Sequence, residues 1–529
     1  MIRVLIADPL AKRGQEVLRQ AKGVQVDEKT GLPEAELLKI VAEYDAVIVR
    51  SETKINKTVI DAAKKLKVVG RAGVGVDNVD VDAATKRGVI VMNTPSGNTI
   101  STAEHTFSML MAMARNIPQA HASVKAGKWN RKQYQGVELY NKTLGIVGMG
   151  RIGSEVARRA IAFGMRVLAY DPYLSMSRAK SLQVELIELD DLLPQSDFIT
   201  VHMPLTDETK GIINTGAFGK MKQGVRILNC ARGGLIVEKD LIEAIKSGKV
   251  AGAALDVFEA EPLPADSPLR GVDSIILTPH LGASTAEAQE SVGVEIAHSV
   301  LDALTGGVIR NAVNMPSLDA KTLALLMPYL KFGSKLGRLV SQLAPKRIEH
   351  IVVTYSGKAS ELDTNPITRY ILLGFLESVS GKDINQVNAP ILASNLGIKV
   401  EEIKSAESID YAELIHVAAR IDGVTTSVAG TFYGSLNNPR IVRINDLPVE
   451  AVPEGVLFLF ENKDRPGVVG WIGTIMGKHK VNIAGMSLAR QKQGGTALTV
   501  LNLDSVPSPE LIAEISREKD IQGVKVAKL

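Results

Sequence analysis

Three features of this sequence predict an α/β protein with parallel, doubly wound sheets and further domains behind them. Short apolar runs alternate with helix-forming stretches in two successive series, the pattern that lays parallel strands side by side. The loop "GMGRIG" at 148–153 opens the second series rather than the first. From about Val456 the order changes to β-α-β-β-α-β, a ferredoxin-like split unit. The 529 residues are too many for one core, and at ~150 residues per domain they suggest about three or four.

In the first series "IRVLIAD", "DAVIVRS", "KVVGRAG" and "VIVMNTP" read as strands, separated by helical stretches such as "PEAELLKIVAEY" and "NKTVIDAAKKL". A long helical segment, "TAEHTFSMLMAMARN", leads to the second series: "TLGIVGMG", "RVLAYDP", "DFITVHMP", "VRILNCARG", "AGAALDV" and "SIILTPH". These runs are apolar and nearly continuous, as strands covered by helices on both faces require. Residues 317–452 carry two helix patterns, "KTLALLMPYLKFGSKLGRLVSQL" and "PITRYILLGFLESVS", then the β-rich "TTSVAGTFYGS" and "PRIVRIND".

Composition excludes several classes. Hydrophobic residues at 45% and charged ones at 23% are ordinary for a soluble enzyme. A formal charge of +4 without a long Lys/Arg run argues against nucleic acid. The single cysteine, Cys230, rules out an intramolecular disulfide framework and fits a reducing cytoplasm. No apolar run approaches the ~18 residues of a membrane span, and "MIRVLIADPLAKRG" lacks the features of a signal peptide, so a cytoplasmic protein is expected. No His/Cys/Asp/Glu cluster has metal-ligand spacing, and no metal is expected.

The glycine loop carries the first chemical signal. Gly148 permits a tight turn, Gly150 lets the backbone approach a pyrophosphate, and Gly153 lets the helix "SEVARRAIAFG" pack on its strand. Asp171 ends the next strand, 18 positions after Gly153. A carboxylate there can bond a ribose 2′-OH and repels a 2′-phosphate, which favours NAD over NADP.

Ligands of parallel sheets sit at the carboxyl ends of the strands, where Arg232, Glu261 and His280 collect after "RILNC", "AALDVFEA" and "IILTP". Arginine grips a carboxylate through two parallel hydrogen bonds. Histidine exchanges a proton near neutrality, and a carboxylate beside it holds the ring in place. Alone, each also reads as a turn histidine, a solvated loop acid or a surface cation; together beside a dinucleotide loop they suit oxidation of a hydroxy acid.

"GMGRIG", Asp171, "NCARGG", "AALDVFEAEP" and "PHLGAST" closely resemble the NAD-dependent D-isomer-specific 2-hydroxyacid dehydrogenases over roughly residues 1–315. The resemblance implies a Rossmann-type NAD-binding domain, 98–290, inserted in a flavodoxin-like discontinuous substrate domain, 1–97 with a return at 291–316. By it, Arg232 binds the substrate carboxylate, His280 is the acid/base and Glu261 its partner. NAD contacts would come from Val74, Gly148, Gly150, Arg151, Ile152, Gly153, Asp171, Met203, Pro204, Cys230, Ala231, Arg232, Asp256, His280, Gly282 and Ala283. The most similar members oxidise 3-phosphoglycerate, whose phosphate calls for further cations. Arg50, Arg71 with the adjacent Gly73, and Arg131 with Lys132, the last two reaching a neighbouring subunit's site, are the candidates. Another D-2-hydroxyacid dehydrogenase or reductase, of the glycerate or glyoxylate type, and a non-catalytic NAD sensor on the same scaffold remain alternatives.

The resemblance extends to an α+β intervening domain at 317–452 and an ACT regulatory domain at 453–529. In the latter "ENKDRPGVVG" and "VNIAGM" place Asn462, Asp464 and Asn482 as effector contacts, beside a helix expected to begin at Pro466. The implied effector is L-serine, and the implied assembly a homotetramer.

Overall fold

The computed structural model describes residues 1–380, 384–406 and 410–529. The first series forms a parallel sheet of β1 (Ile2–Ile6), β2 (Val24–Glu28), β3 (Ala46–Val49), β4 (Val68–Arg71) and β5 (Ile90–Met92), ordered β2-β1-β3-β4-β5. That is the flavodoxin-like order. The second series gives β6 (Thr143–Val147), β7 (Arg166–Tyr170), β8 (Glu185–Leu186), β9 (Phe198–Val201), β10 (Val225–Asn229), β11 (Val250–Leu255) and β12 (Ile275–Leu277). Their order, β12-β11-β10-β9-β6-β7-β8, reverses direction beside β6, so the glycine loop lies at the switch point.

The helix Ala286–Thr305 leaves the second sheet and packs on the first, where Val292, Ile296 and Val300 share a buried cluster with Val4, Ile6, Ile48 and Val68. Gly70 on β4 permits this, because a Cβ there would lie 2.7 Å from Val300 Cγ2. An isolated bridge between Met92 and Ala312 adds a backbone tie from beyond the helix to the first sheet.

Two long helices, Ala320–Leu343 and Asn365–Ser380, then pack on a six-stranded mixed sheet between His350 and Ala451. Four of its strands, at His350–Gly357, Lys399–Ser405, Glu413–Ile421 and Leu447–Ala451, and the edge strands β2 and β8 are absent from the sequence reading. The last sheet has four antiparallel strands in the sequential order 2-3-1-4 of a ferredoxin-like unit. Its first helix starts at Val468 rather than Pro466, because Gly467 sits in the left-handed region at φ 96° and caps it. Among the described residues no helix is long and apolar enough to cross a membrane.

Candidate active site

His280 follows β12 and Glu261 follows β11, and Nδ1 of His280 lies 2.7 Å from Glu261 Oε2. Glu261 Oε1 also accepts the Phe258 N–H at 3.0 Å. Burial works to raise the carboxyl pKa, but the hydrogen bond to His280, its charge and the Phe258 amide outweigh it and hold Glu261 below the usual range. With Nδ1 engaged, Nε2 is the nitrogen left for the cleft, and the ring is half exposed there.

His280 adopts φ 55°, unusual for a residue with a side chain. Asp256, fully buried at the end of β11, holds it there. Its carbonyl accepts the His280 N–H at 2.9 Å. Oδ1 accepts Leu281 N–H at 2.7 Å and the Thr278 hydroxyl at 2.6 Å, and Oδ2 accepts Gly282 N–H at 2.9 Å. His105 Nε2 stands 3.2 Å from Oδ1. Burial opposes its ionisation, but these donors keep the carboxyl below the ordinary range. Both oxygens thus anchor the loop that carries His280. Thr102 Oγ1 donates to Gly282 O at 3.0 Å, and Ala283 follows, partly buried.

Arg232 leaves β10 on a turn built by buried Asn229, which accepts Ala231 N–H at 3.0 Å and donates to Arg232 O at 2.8 Å. The guanidinium reaches the first domain: Nε is 3.5 Å from Asp77 Oδ2, and any side chain on Gly75 would overlap it. Gly73 likewise leaves room for the Arg71 guanidinium. Beside it, the Val74 carbonyl is tied by Asn93 Nδ2 at 2.5 Å. Arg71 Nε is buried without a hydrogen-bond partner among the described residues. Burial first, and then the charges of Arg232 and Arg50 against those of Asp77 and Asp8, push Arg71 down to about 10. Arg50 stands on a loop fastened by buried Asp8, which accepts the amides of Arg50 at 2.6 Å and Thr53 at 3.1 Å. Three arginines thus face one cleft from β3, β4 and β10.

The glycine loop fits a dinucleotide. Gly148, at φ 102°, has the His202 carbonyl carbon 2.7 Å and Met203 Cγ 2.8 Å from where a Cβ would sit, and Gly153 would overlap Gly148 O. Nothing lies within 4 Å of the Gly150 position, which leaves its face open at the amino end of the helix Arg151–Ala162. Asp171 accepts Met149 N–H at 2.8 Å and Tyr173 N–H at 2.9 Å, which fixes it beside the loop with lone pairs to spare. Arg151 Nη1 donates to Pro95 O at 3.2 Å, tying the loop to the segment joining the two sheets. Ile152 packs into the core, and Met203 and Pro204 follow β9. A Gly153→Val variant is expected to lose thermal stability and to bind NADH at least about tenfold more weakly, read by melting and by cofactor fluorescence.

The comparisons decide the family. Residues 107–282 match the NAD-binding domain of the D-isomer specific 2-hydroxyacid dehydrogenases, and 325–445 match the D-3-phosphoglycerate dehydrogenase intervening domain. The chain is 45% identical over 518 residues to D-3-phosphoglycerate dehydrogenase of Archaeoglobus fulgidus, covering 98% of each. It is 43% identical over 529 residues to that of Bacillus subtilis, covering 100% of each. The chain belongs to the D-3-phosphoglycerate dehydrogenase family. Among solved structures, D-lactate dehydrogenase from Aquifex aeolicus with NAD and lactic acid is 30% identical, with a TM-score of 0.53, over 60% of this chain and all of that one. A glyoxylate reductase from Paecilomyes thermophila is 31% identical, with a TM-score of 0.55, over 59% of this chain and 98% of that one. NAD is the cofactor of this family member.

The Cys230 thiol is buried against Met109 Sδ at 3.6 Å, and burial pushes it up to about 12, so it offers a cofactor only its backbone. Arg131 and Lys132 sit in an exposed turn, without an ion pair among the described residues. The three effector candidates are each engaged elsewhere within the chain. Asn462 is buried and accepts Thr499 Oγ1 at 2.7 Å, Asp464 accepts Arg490 Nη1 at 2.7 Å, and Asn482 donates to Asp504 at 2.7 Å. Asp8, Asn229 and Gly75, and the anchoring role of Asp256, went unnoticed because they act on backbone and loop shape.

Proposed function

We propose that the chain oxidises D-3-phosphoglycerate to 3-phosphohydroxypyruvate, the step that opens L-serine biosynthesis. The observation that carries this reading is the Arg71 group: a buried, unpartnered Nε flanked by Arg232 and Arg50, opposite the His280–Glu261 pair. A 2-hydroxy acid with one carboxylate needs one arginine; a second anionic group makes use of the others.

When bound, NAD supplies the electron-pair acceptor for C2. Arg232 holds the carboxylate, Arg71 and Arg50 the phosphate, and so the C2 hydroxyl is presented to His280 Nε2, which takes its proton. Glu261 orients the ring, and Asp256 fixes the loop beneath it. We assign the NAD-binding role to 98–290, the substrate role to 1–97 and 291–316, and assembly or regulation to 317–452 and 453–529. We also infer a cytoplasmic homotetramer regulated by L-serine; for the effector to reach Asp464, Arg490 must let go of it.

Initial rates of D-3-phosphoglycerate and D-glycerate oxidation with NAD, and of glyoxylate reduction with NADH, test the reading. It predicts a kcat/KM at least about 100-fold higher for the phosphorylated acid, and suppression of that turnover by L-serine. Equal rates on glycerate would reassign the substrate, and indifference to L-serine would leave 453–529 with assembly alone.

A further inference from the structure

Outside the active cleft, a cavity of about 270 Å³ lies where the first domain meets the two long helices of the intervening region. Its walls are mostly apolar: Ile90 and Ala303 from the first domain, Leu323, Met327 and Leu330 from the helix Ala320–Leu343. A dry cavity of ~150 Å³ accommodates benzene, so this one admits a ring or branched chain with a polar head.

Two polar side chains line it from the helix Asn365–Ser380. The half-buried Arg369 bonds only neutral acceptors: Nε donates to Asn365 Oδ1 at 3.0 Å, and Nη1 to the carbonyls of Gln386 at 3.1 Å and Val387 at 3.4 Å. No carboxylate lies within ion-pair distance of it among the described residues, Glu402 standing only across a second cleft that Arg369 also lines, so the cation meets the apolar space without a direct counter-charge. The Tyr370 hydroxyl has no hydrogen-bond partner among the described residues either. An adjoining cleft shares Ile90 and Ala303 and is lined by Lys64, Lys65, Lys86 and Arg87, so the approach is positive as well.

We propose that this cavity binds a small monocarboxylate with an apolar body, the carboxylate on Arg369 and the body against Leu323, Met327 and Leu330. The ligand would bridge the substrate domain and the intervening domain, far in sequence from the residues of the cleft. Binding there favours whichever arrangement of the two units closes the cavity.

Calorimetric titration of the full chain with phenylacetate, and with benzyl alcohol as a neutral counterpart, tests this. Phenylacetate is expected to bind, with its Kd raised about tenfold or more by Arg369→Gln while the alcohol is unaffected. Ala303→Phe, which fills the space, is expected to abolish both while NAD-dependent turnover persists. That second variant keeps the test sound if Arg369→Gln unsettles the helix. No phenylacetate binding up to about 10 mM, or binding unchanged by both variants because the probe sits elsewhere, would overturn the proposal. Equal weakening of acid and alcohol by Arg369→Gln would overturn the carboxylate assignment.

Discussion

His280→Ala is expected to lower kcat by about 10²–10⁴-fold, the usual contribution of a positioned acid/base, with NADH affinity little changed. The ring offers Nε2 to the cleft because Glu261 occupies Nδ1 at 2.7 Å, and the backbone beneath is fixed independently by Asp256. Removing the imidazole therefore leaves the loop and the cofactor site standing. Stopped-flow or steady-state rates with parallel NADH binding check this. Near-full turnover would show that the proton leaves by another route.

Arg71→Ala should raise KM for the phosphorylated substrate about 10–100-fold, the loss expected when a charge-assisted hydrogen bond worth about 1.5–3 kcal/mol goes, without changing NADH affinity. Burial and the neighbouring arginines lower the pKa of Arg71 from its ordinary value, the mark of a cation that gains from an anion's arrival. An unaltered KM in the variant would remove Arg71 from the phosphate site.

The cleft was largely legible in the sequence because its parts obey local rules. A glycine loop, a strand-ending acid and three polar residues after apolar strands are each readable from a few neighbouring positions. β2 was not, because its "VQVDE" alternates polar and apolar residues as an edge strand does, beside charged turns. Nor were Asp8 and Asn229, whose carboxylate and amide shape the loops of Arg50 and Arg232 through backbone groups, in the first case more than 40 residues away. Asp256 was seen as a cofactor contact, but its anchoring of the His280 loop through backbone groups was not. At the other end of the chain, motif matching picked out Asn462, Asp464 and Asn482 without revealing that each already has a partner in its own fold. Motifs report which residues gather at a place; they do not report which lone pairs are still free.

We propose that Arg50, Arg71 and Arg232 bind a phosphorylated hydroxy acid opposite His280. NADH absorbance with purified protein, NAD and D-3-phosphoglycerate, in the presence of a trap for the keto product, tests it most directly. Turnover is expected with the phosphorylated acid, falling at least about 100-fold in kcat/KM when D-glycerate replaces it. No turnover from a protein that still binds NAD would contradict it.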